Sequence, residues 1–227
     1  MNLKNWKLIA FKFMIFGSIQ FVVLTFIAML FYPGGTHIDP NTKGYSFFQN
    51  FFSDLGRTVA YSGKENIVSY VMFTITLTIL GVSIIFYFSA ILFFFKEKNF
   101  ERYLSIIGSL MAIMTGISLA GVAFTPYDIF PSAHVFFGRI LLISLFLALV
   151  IYTLIIFFNN DYPNKYALTY FIFSLIVGIY ILVARFRPDI STTEGLILQV
   201  TSQKIFFYSW ITCFSIEAYG SLKLSSL

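Results

Sequence analysis

Charge is scarce in this chain. Only 11% of its 227 residues are Asp, Glu, Lys or Arg, against 58% hydrophobic, and the mean hydropathy is +0.84. A soluble domain carries about 25% charged residues; this composition cannot clothe a water-facing surface and points to an integral membrane protein. Cysteine is nearly absent. Cys213 is the only one, and it lies in an apolar run, so no intramolecular disulfide can form and the redox compartment is unreadable. Histidine is limited to His37 and His134. No His-x-x-x-His and no cysteine pair is present, so the sequence calls for no metal and no cofactor. The net charge of +5 comes from basic residues scattered between apolar runs. A nucleic-acid partner would need them clustered; membrane lipids are the partners this composition fits. Long-period repeats and low-complexity tails are missing as well, so the chain reads as one transmembrane domain over residues 1–227.

What is abundant is apolar length. Runs near the roughly 20 residues needed to cross a bilayer fall at about 13–32, 67–95, 103–124, 135–158, 166–184 and 204–222. The fold class expected is therefore all-α: a polytopic six-helix bundle. Thirty Phe and fourteen Tyr suit lipid-facing and interfacial helix surfaces. The first span has neither the short apolar core nor the small-residue cleavage site of a signal peptide, and is expected to be retained. Pro33-Gly34-Gly35 stops it. In the long loop that follows, Phe48, Phe51, Phe52 and Leu55 are spaced i, i+3, i+4, i+7, which predicts a short interfacial helix with Gly56 as its stop. Asn66 is placed to cap the second span. Thr74, Thr78 and Gly81 give that span a small, mildly polar face. In the third span Gly108, Ala112, Gly116 and Ala120 recur every fourth residue, a seam that admits a close neighbour and puts this helix at the bundle centre. Asp161 could cap the fifth span. Arg185 to Pro188 breaks that span, and Ser191-Thr-Thr-Glu194 reads as a capping box opening the last helix, with a break near Gln203.

Six spans put both termini on one side. Lys4, Lys7 and Lys12, with the Lys96, Lys98, Arg102 turn, lie on that side, and the opposite loop between the third and fourth spans has no Lys or Arg. The positive-inside rule then makes the termini cytoplasmic in a cell membrane. Over the whole chain the split is closer, eight basic residues inside and seven outside, and the short loops carry the assignment.

On this topology the outer face collects Asp54, Arg57, Asp128, His134, Arg139, Arg185 and Arg187. Two polar knots organise it: Ser53-Asp-Leu-Gly-Arg57, and the proline-bounded turn Thr125 to His134, where a continuous helix is forbidden. Arg139 lies about one and a half turns into its span. A guanidinium at mid-depth costs roughly 2.5 kcal/mol or more against lipid, so it should face the bundle and meet an acid or a phosphate. One reading is a structural ion pair with Asp128 or Asp54. The other is an anion pocket for a lipid headgroup, for which Arg57, Arg139, Arg185 and Arg187 are the binding candidates. Were the protein an enzyme, it would be a lipid-processing hydrolase or transferase with His134, Asp128 and Asp54 as catalytic candidates. A Ser-His-Asp set can be drawn from Ser53 or Ser132, His134 and Asp128, but no strained nucleophile turn accompanies it. A metal site would need His134 with Asp54, Asp128 or His37. Glu217 shares a face of the sixth span with Ser209, Cys213 and Gly220. It is either a hydrogen-bonded acid inside the bundle or a proton or cation relay of a transporter. A scaffold with no pocket is the third functional class.

Ser53-Asp54-Leu55-Gly56 after the first span, Asn66 opening the second, and Pro126-x-Asp128 followed by His134 resemble the uncharacterised membrane family called domain of unknown function 998. More distantly, the first loop and the histidine-led helix resemble the Frag/DRAM/Sfk group of six-span proteins. The resemblance covers about the first two-thirds of the chain. It implies a six-helix bundle with polar residues on the non-cytoplasmic side, and no activity; the distant group points weakly to lipid handling. Arg57 and the Arg185/Arg187 pair are not part of the pattern.

Overall fold

A computed structural model describes residues 3–95, 99–186 and 188–226. Arg187, Lys96 and Lys98 lie outside the described residues. Six long helices account for most of the chain: α1 (Leu3–Phe31), α2 (Ile67–Ile91), α3 (Asn99–Ala123), α4 (Pro131–Phe158), α5 (Asn164–Phe186) and α6 (Thr193–Ser226). Among the described residues the only β-pairing is two isolated bridges, Gly34 to Lys43 and Val59 to Glu65. Helices α1 to α5 are long and apolar enough to cross a membrane, and the protein is a helical membrane bundle. The sixth helix runs unbroken through Gln203 and carries Gln199, Lys204 and Glu217 among its apolar residues. The outward surface is apolar where lipid would meet it: Phe16, Ile19, Phe26 and Leu30 of α1 are all exposed.

The helices form a ring. Each packs on its neighbours in sequence, and α6 returns to close against α1. No helix is central, so the expectation for α3 is corrected. Its small-residue seam instead serves two neighbours. A Cβ on Gly116 would sit 2.6 Å from the Gly81 carbonyl oxygen of α2, and one on Gly108 would press on Ile151 and Tyr152 of α4. Both backbones approach because neither residue has a side chain. Thr74 adds a hydrogen bond across the same interface, its hydroxyl donating to the Ala123 carbonyl at 3.3 Å.

One half of the ring is filled by aromatic side chains. Tyr87, Phe88, Tyr152, Tyr170 and Phe214 are fully buried and meet at ring separations of 5.0–6.1 Å, mostly edge to face, the geometry the ring quadrupole favours. Their hydroxyls find partners: Tyr87 with Tyr170 at 3.1 Å, and Tyr152 with Ser109 at 2.5 Å. The other half is covered by the loop from Tyr32 to Asn66. Gly34 and Gly35 adopt φ of +118° and +84°, which only glycine reaches without strain. They turn the chain back so that the Gly35 amide donates to the Thr42 carbonyl and the Ser62 amide to the Gly34 carbonyl.

The loop helix differs from expectation. Only Phe52–Gly56 is helical, as one stretch of 3-10 helix, and its Phe52 and Leu55 are buried against the bundle while Phe48 is exposed. The stripe reads correctly as apolar, but long-range packing on α6 claims half of it. Three caps differ too. Asn66 makes no cap bond; its amide donates to the Leu55 and Arg57 carbonyls and ties down the 3-10 helix. Asn159, not Asp161, receives the turn amides before α5. The α6 cap is Thr192, whose hydroxyl accepts from the Gly195 amide at 3.1 Å.

Candidate functional site

The two polar knots meet. Asp128, in the α3–α4 turn, accepts hydrogen bonds from the Thr58 amide at 3.1 Å, the Thr58 hydroxyl at 2.6 Å and the Val59 amide at 3.0 Å. It thereby staples that turn to the first loop, just past the Asp54–Arg57 knot. Burial alone would raise its carboxyl; these donors outweigh it and hold Asp128 below the usual carboxylate value. No arginine is needed to satisfy it.

His134 stands half-buried at the start of α4. Its Nδ1 shares a hydrogen bond with the Thr125 carbonyl at 2.7 Å, and its ring meets the Tyr127 ring edge to face at 5.6 Å. It closes its own turn. His134 and Asp128 thus hold different partners, and a Ser-His-Asp relay is not assembled here. Among the described residues, no group of three metal-ligating side chains converges.

Asp54 is buried, at 5% exposure. It accepts from the Phe51 amide at 2.8 Å and the Asn50 amide nitrogen at 3.1 Å. Burial nonetheless pushes its carboxyl up to about 6, with Arg57 and Lys204 in electrostatic reach pulling the other way. Arg57 is held in place: its Nε donates to the Val59 carbonyl at 3.0 Å, and its guanidinium lies 4.1 Å over the Tyr61 ring.

Lys204 and Gln203 of α6 have a structural role that their isolated positions in the sequence did not signal. The Lys204 ammonium donates to the Asn50 carbonyl at 2.6 Å, caged by the rings of Tyr45, Phe47 and Phe52 at 4.9–5.2 Å. Gln203 accepts from the Phe52 amide at 2.7 Å. A Gln-Lys pair at the start of an apolar run is its sign in the sequence. The pair suggests a helix break near Gln203, yet it is the seat on which the first loop rests.

Beneath this loop is a cavity of about 990 Å³, bounded by α2 to α6. Its polar rim carries His37, Asp54, Arg57, His134, Arg139 and Arg185. Deeper in, the wall is apolar: Leu77, Leu119, Leu141, Leu142, Phe206 and Phe207. The expected contact of Arg139 with Asp128 or Asp54 does not form. Both acids are engaged as above, and among the described residues no hydrogen bond or ion pair reaches Arg139 or Arg185. The sequence brings Asp54, Arg57, His134, Arg139 and Arg185 to one cavity, while Asp128 acts from behind it as a staple.

Glu217 is elsewhere, in the aromatic half. It is fully buried, and among the described residues neither carboxyl oxygen has a hydrogen-bond partner. Tyr87, Tyr162 and Tyr170 lie in its electrostatic reach. Ser221 links Tyr87 at 3.4 Å to Tyr162 at 3.1 Å. Comparisons with protein families, with curated proteins and with solved structures find no match to this chain.

Proposed function

We propose that the protein is a six-span protein of the cell membrane, with both termini cytoplasmic, that binds the anionic headgroup of a lipid or a small anion at the rim of its outward-facing cavity. The observation that carries this reading is the state of Arg139 and Arg185. Both line the rim, and among the described residues neither is paired. A guanidinium at membrane depth is costly unless paired, and its planar fork matches phosphate and carboxylate. The acids that could have neutralised them are committed: Asp128 to three loop donors, Asp54 to Asn50 and Phe51. A scaffold without a pocket would pair its outer charges among themselves, so the unpaired arginines weigh against it.

The test is co-purification. Wild type and the Arg139→Gln/Arg185→Gln double variant are extracted from the same cells and their bound lipids and anions measured by mass spectrometry. The expected result is at least a tenfold loss of anionic species in the variant with neutral lipids unchanged. Equal anionic content in the two proteins would defeat the reading.

Glu217 favours a second reading, proton-coupled transport. An acid without a hydrogen-bond partner, beside a Tyr87–Ser221–Tyr162 hydroxyl chain, is the kind of group that relays protons in membrane carriers. Here acid-driven uptake into proteoliposomes should vanish in Glu217→Gln; uptake that persists would remove Glu217 from any transport cycle.

A further inference from the structure

We infer that the cavity takes the hydrocarbon tail of a single-chain anionic amphiphile, such as a lysophospholipid, with its headgroup held at the arginine rim. This deepens the headgroup reading and rests on it. A free inorganic anion would need only the rim. The space below the rim is far larger than such an ion: about 990 Å³, near the upper end for pockets that enclose a drug-sized molecule. Its walls are segregated by depth. The charged groups stand at the loop end, while Leu77, Leu119, Leu141, Leu142 and Phe206 are among the residues that line the cavity farther in. A tail there loses water contact along its length, whereas a polar solute would strand its hydrogen bonds against leucine and phenylalanine. On α4 the lining runs from His134 to Ile143 and on α6 from Gln199 to Phe207, about 12–14 Å at 1.5 Å per residue, of which about 6 Å lies below Arg139 on α4. The end of one chain enters that space with the rest of its length beside the rim.

Gly138 supplies an independent mark. It lines the cavity, and a Cβ added there meets nothing within 4 Å. The glycines in the bodies of α2 and α3 are pressed against a neighbour: Gly81, Gly108, Gly116 and Gly121 would each bring a Cβ within 3.0 Å of one, and even Gly178 of α5 meets Phe146 at 3.5 Å. Gly138 is therefore not a packing glycine. It widens the space that the ligand occupies.

The test is native mass spectrometry on the full-length protein released from detergent, with equal concentrations of lysophosphatidic acid, lysophosphatidylcholine, glycerol 3-phosphate and inorganic phosphate as separate probes. Wild type should hold lysophosphatidic acid at least tenfold better than each of the others. Gly138→Phe, which fills the cavity, should lose that binding at least tenfold while its unfolding temperature stays at or above that of wild type. Leu142→Trp, one turn deeper on α4, is the second cavity-filling variant if Gly138→Phe is poorly folded. Undiminished lysophosphatidic acid binding in a folded cavity-filling variant would overturn the tail assignment and leave the arginine rim standing. Equal binding of glycerol 3-phosphate and lysophosphatidic acid would do the same, marking a soluble anion as the ligand. Lysophosphatidylcholine binding as well as lysophosphatidic acid, with Arg139→Gln/Arg185→Gln indifferent, would sink the rim and this inference together.

Discussion

At the scale of single residues, the two carboxylates of the loop cap respond to pH in opposite directions. Asp54 is raised from 3.8 to about 6, so the folded state holds its proton more tightly than the unfolded chain does. Its contribution to stability is full below about pH 4 and is lost as pH rises through 6, on the order of 3 kcal/mol in all. Asp128 is lowered; its contribution is present above the ordinary carboxylate range and is lost as pH falls through its depressed value. Thermal unfolding in micelles should therefore show wild type losing stability between pH 4 and 6.5, and Asp54→Asn flattening that slope. An unchanged slope would mean that Asp54 is not buried as described. Asp128→Asn, which turns one acceptor oxygen into a donor facing donors, should cost about 1–3 kcal/mol at pH 7. Gly35→Ala should cost a similar amount, since it combines a positive φ with a collision against the Ser62 amide. Some of this chemistry was legible beforehand. Asp54, Asp128 and His134 stood out because charge and prolines in an apolar chain mark loops. Their partners did not, because Thr58, Val59 and Thr125 bond mainly through backbone groups, which every residue type shares.

Among elements, glycines of one appearance in the sequence divide into two roles. Gly116 must stay small: a methyl group there meets the Gly81 carbonyl at 2.6 Å, and Gly116→Ala should destabilise the α2–α3 pair by about 1–3 kcal/mol, as overpacking does. Gly138→Ala should instead be neutral or stabilising by up to about 1 kcal/mol, because helix propensity improves and nothing is touched. Unfolding of the two variants side by side checks the contrast, and a shared sign would contradict the packing. The four-residue spacing of Gly108, Ala112, Gly116 and Ala120 made the α3 seam readable, but spacing says that a neighbour comes close without saying which. It pointed to a central helix, whereas the seam divides between α2 and α4. Gly138 belongs to no such repeat, and nothing in its spacing marks it. The apolar stripe Phe48 to Leu55 fell short for a related reason. Periodicity measures what a segment could do alone, and here Gln203 and Lys204, some 150 residues away, bind the Asn50 carbonyl and Phe52 amide and set the conformation instead.

For the molecule as a whole, the closed ring fixes which loops share an end. The loops after α1, α3 and α5 gather at the cavity, and those after α2 and α4 at the aromatic end, where Asn159 donates to Glu101 at 2.6 Å and ties α4 to the start of α3. Hydropathy located the spans because apolar length is a local property; the order of packing around the ring is not, and neither is a cavity left between side chains of five helices. Direction follows from the proposed orientation. In it the lysines near the N-terminus and the basic α2–α3 turn share the cytoplasmic side with the aromatic end, as the positive-inside rule favours, and α6 must cross if the C-terminus is to join them. The chain is well suited to a direct test, because its one native thiol, Cys213, is buried. Single cysteines at Lys64, Ile129 and Ser191, all exposed at the cavity end, should react with an impermeant maleimide on intact cells; those at Asn5, Asn160 and Lys223 should react only after permeabilisation. Reaction of Lys223→Cys on intact cells, with Asn5→Cys still protected, would show that α6 does not cross. Opposite sidedness for Lys64→Cys and Ile129→Cys would contradict the Asp128 staple itself, because a carboxylate that reaches Thr58 and Val59 cannot have its loop on the far side of the bilayer from theirs.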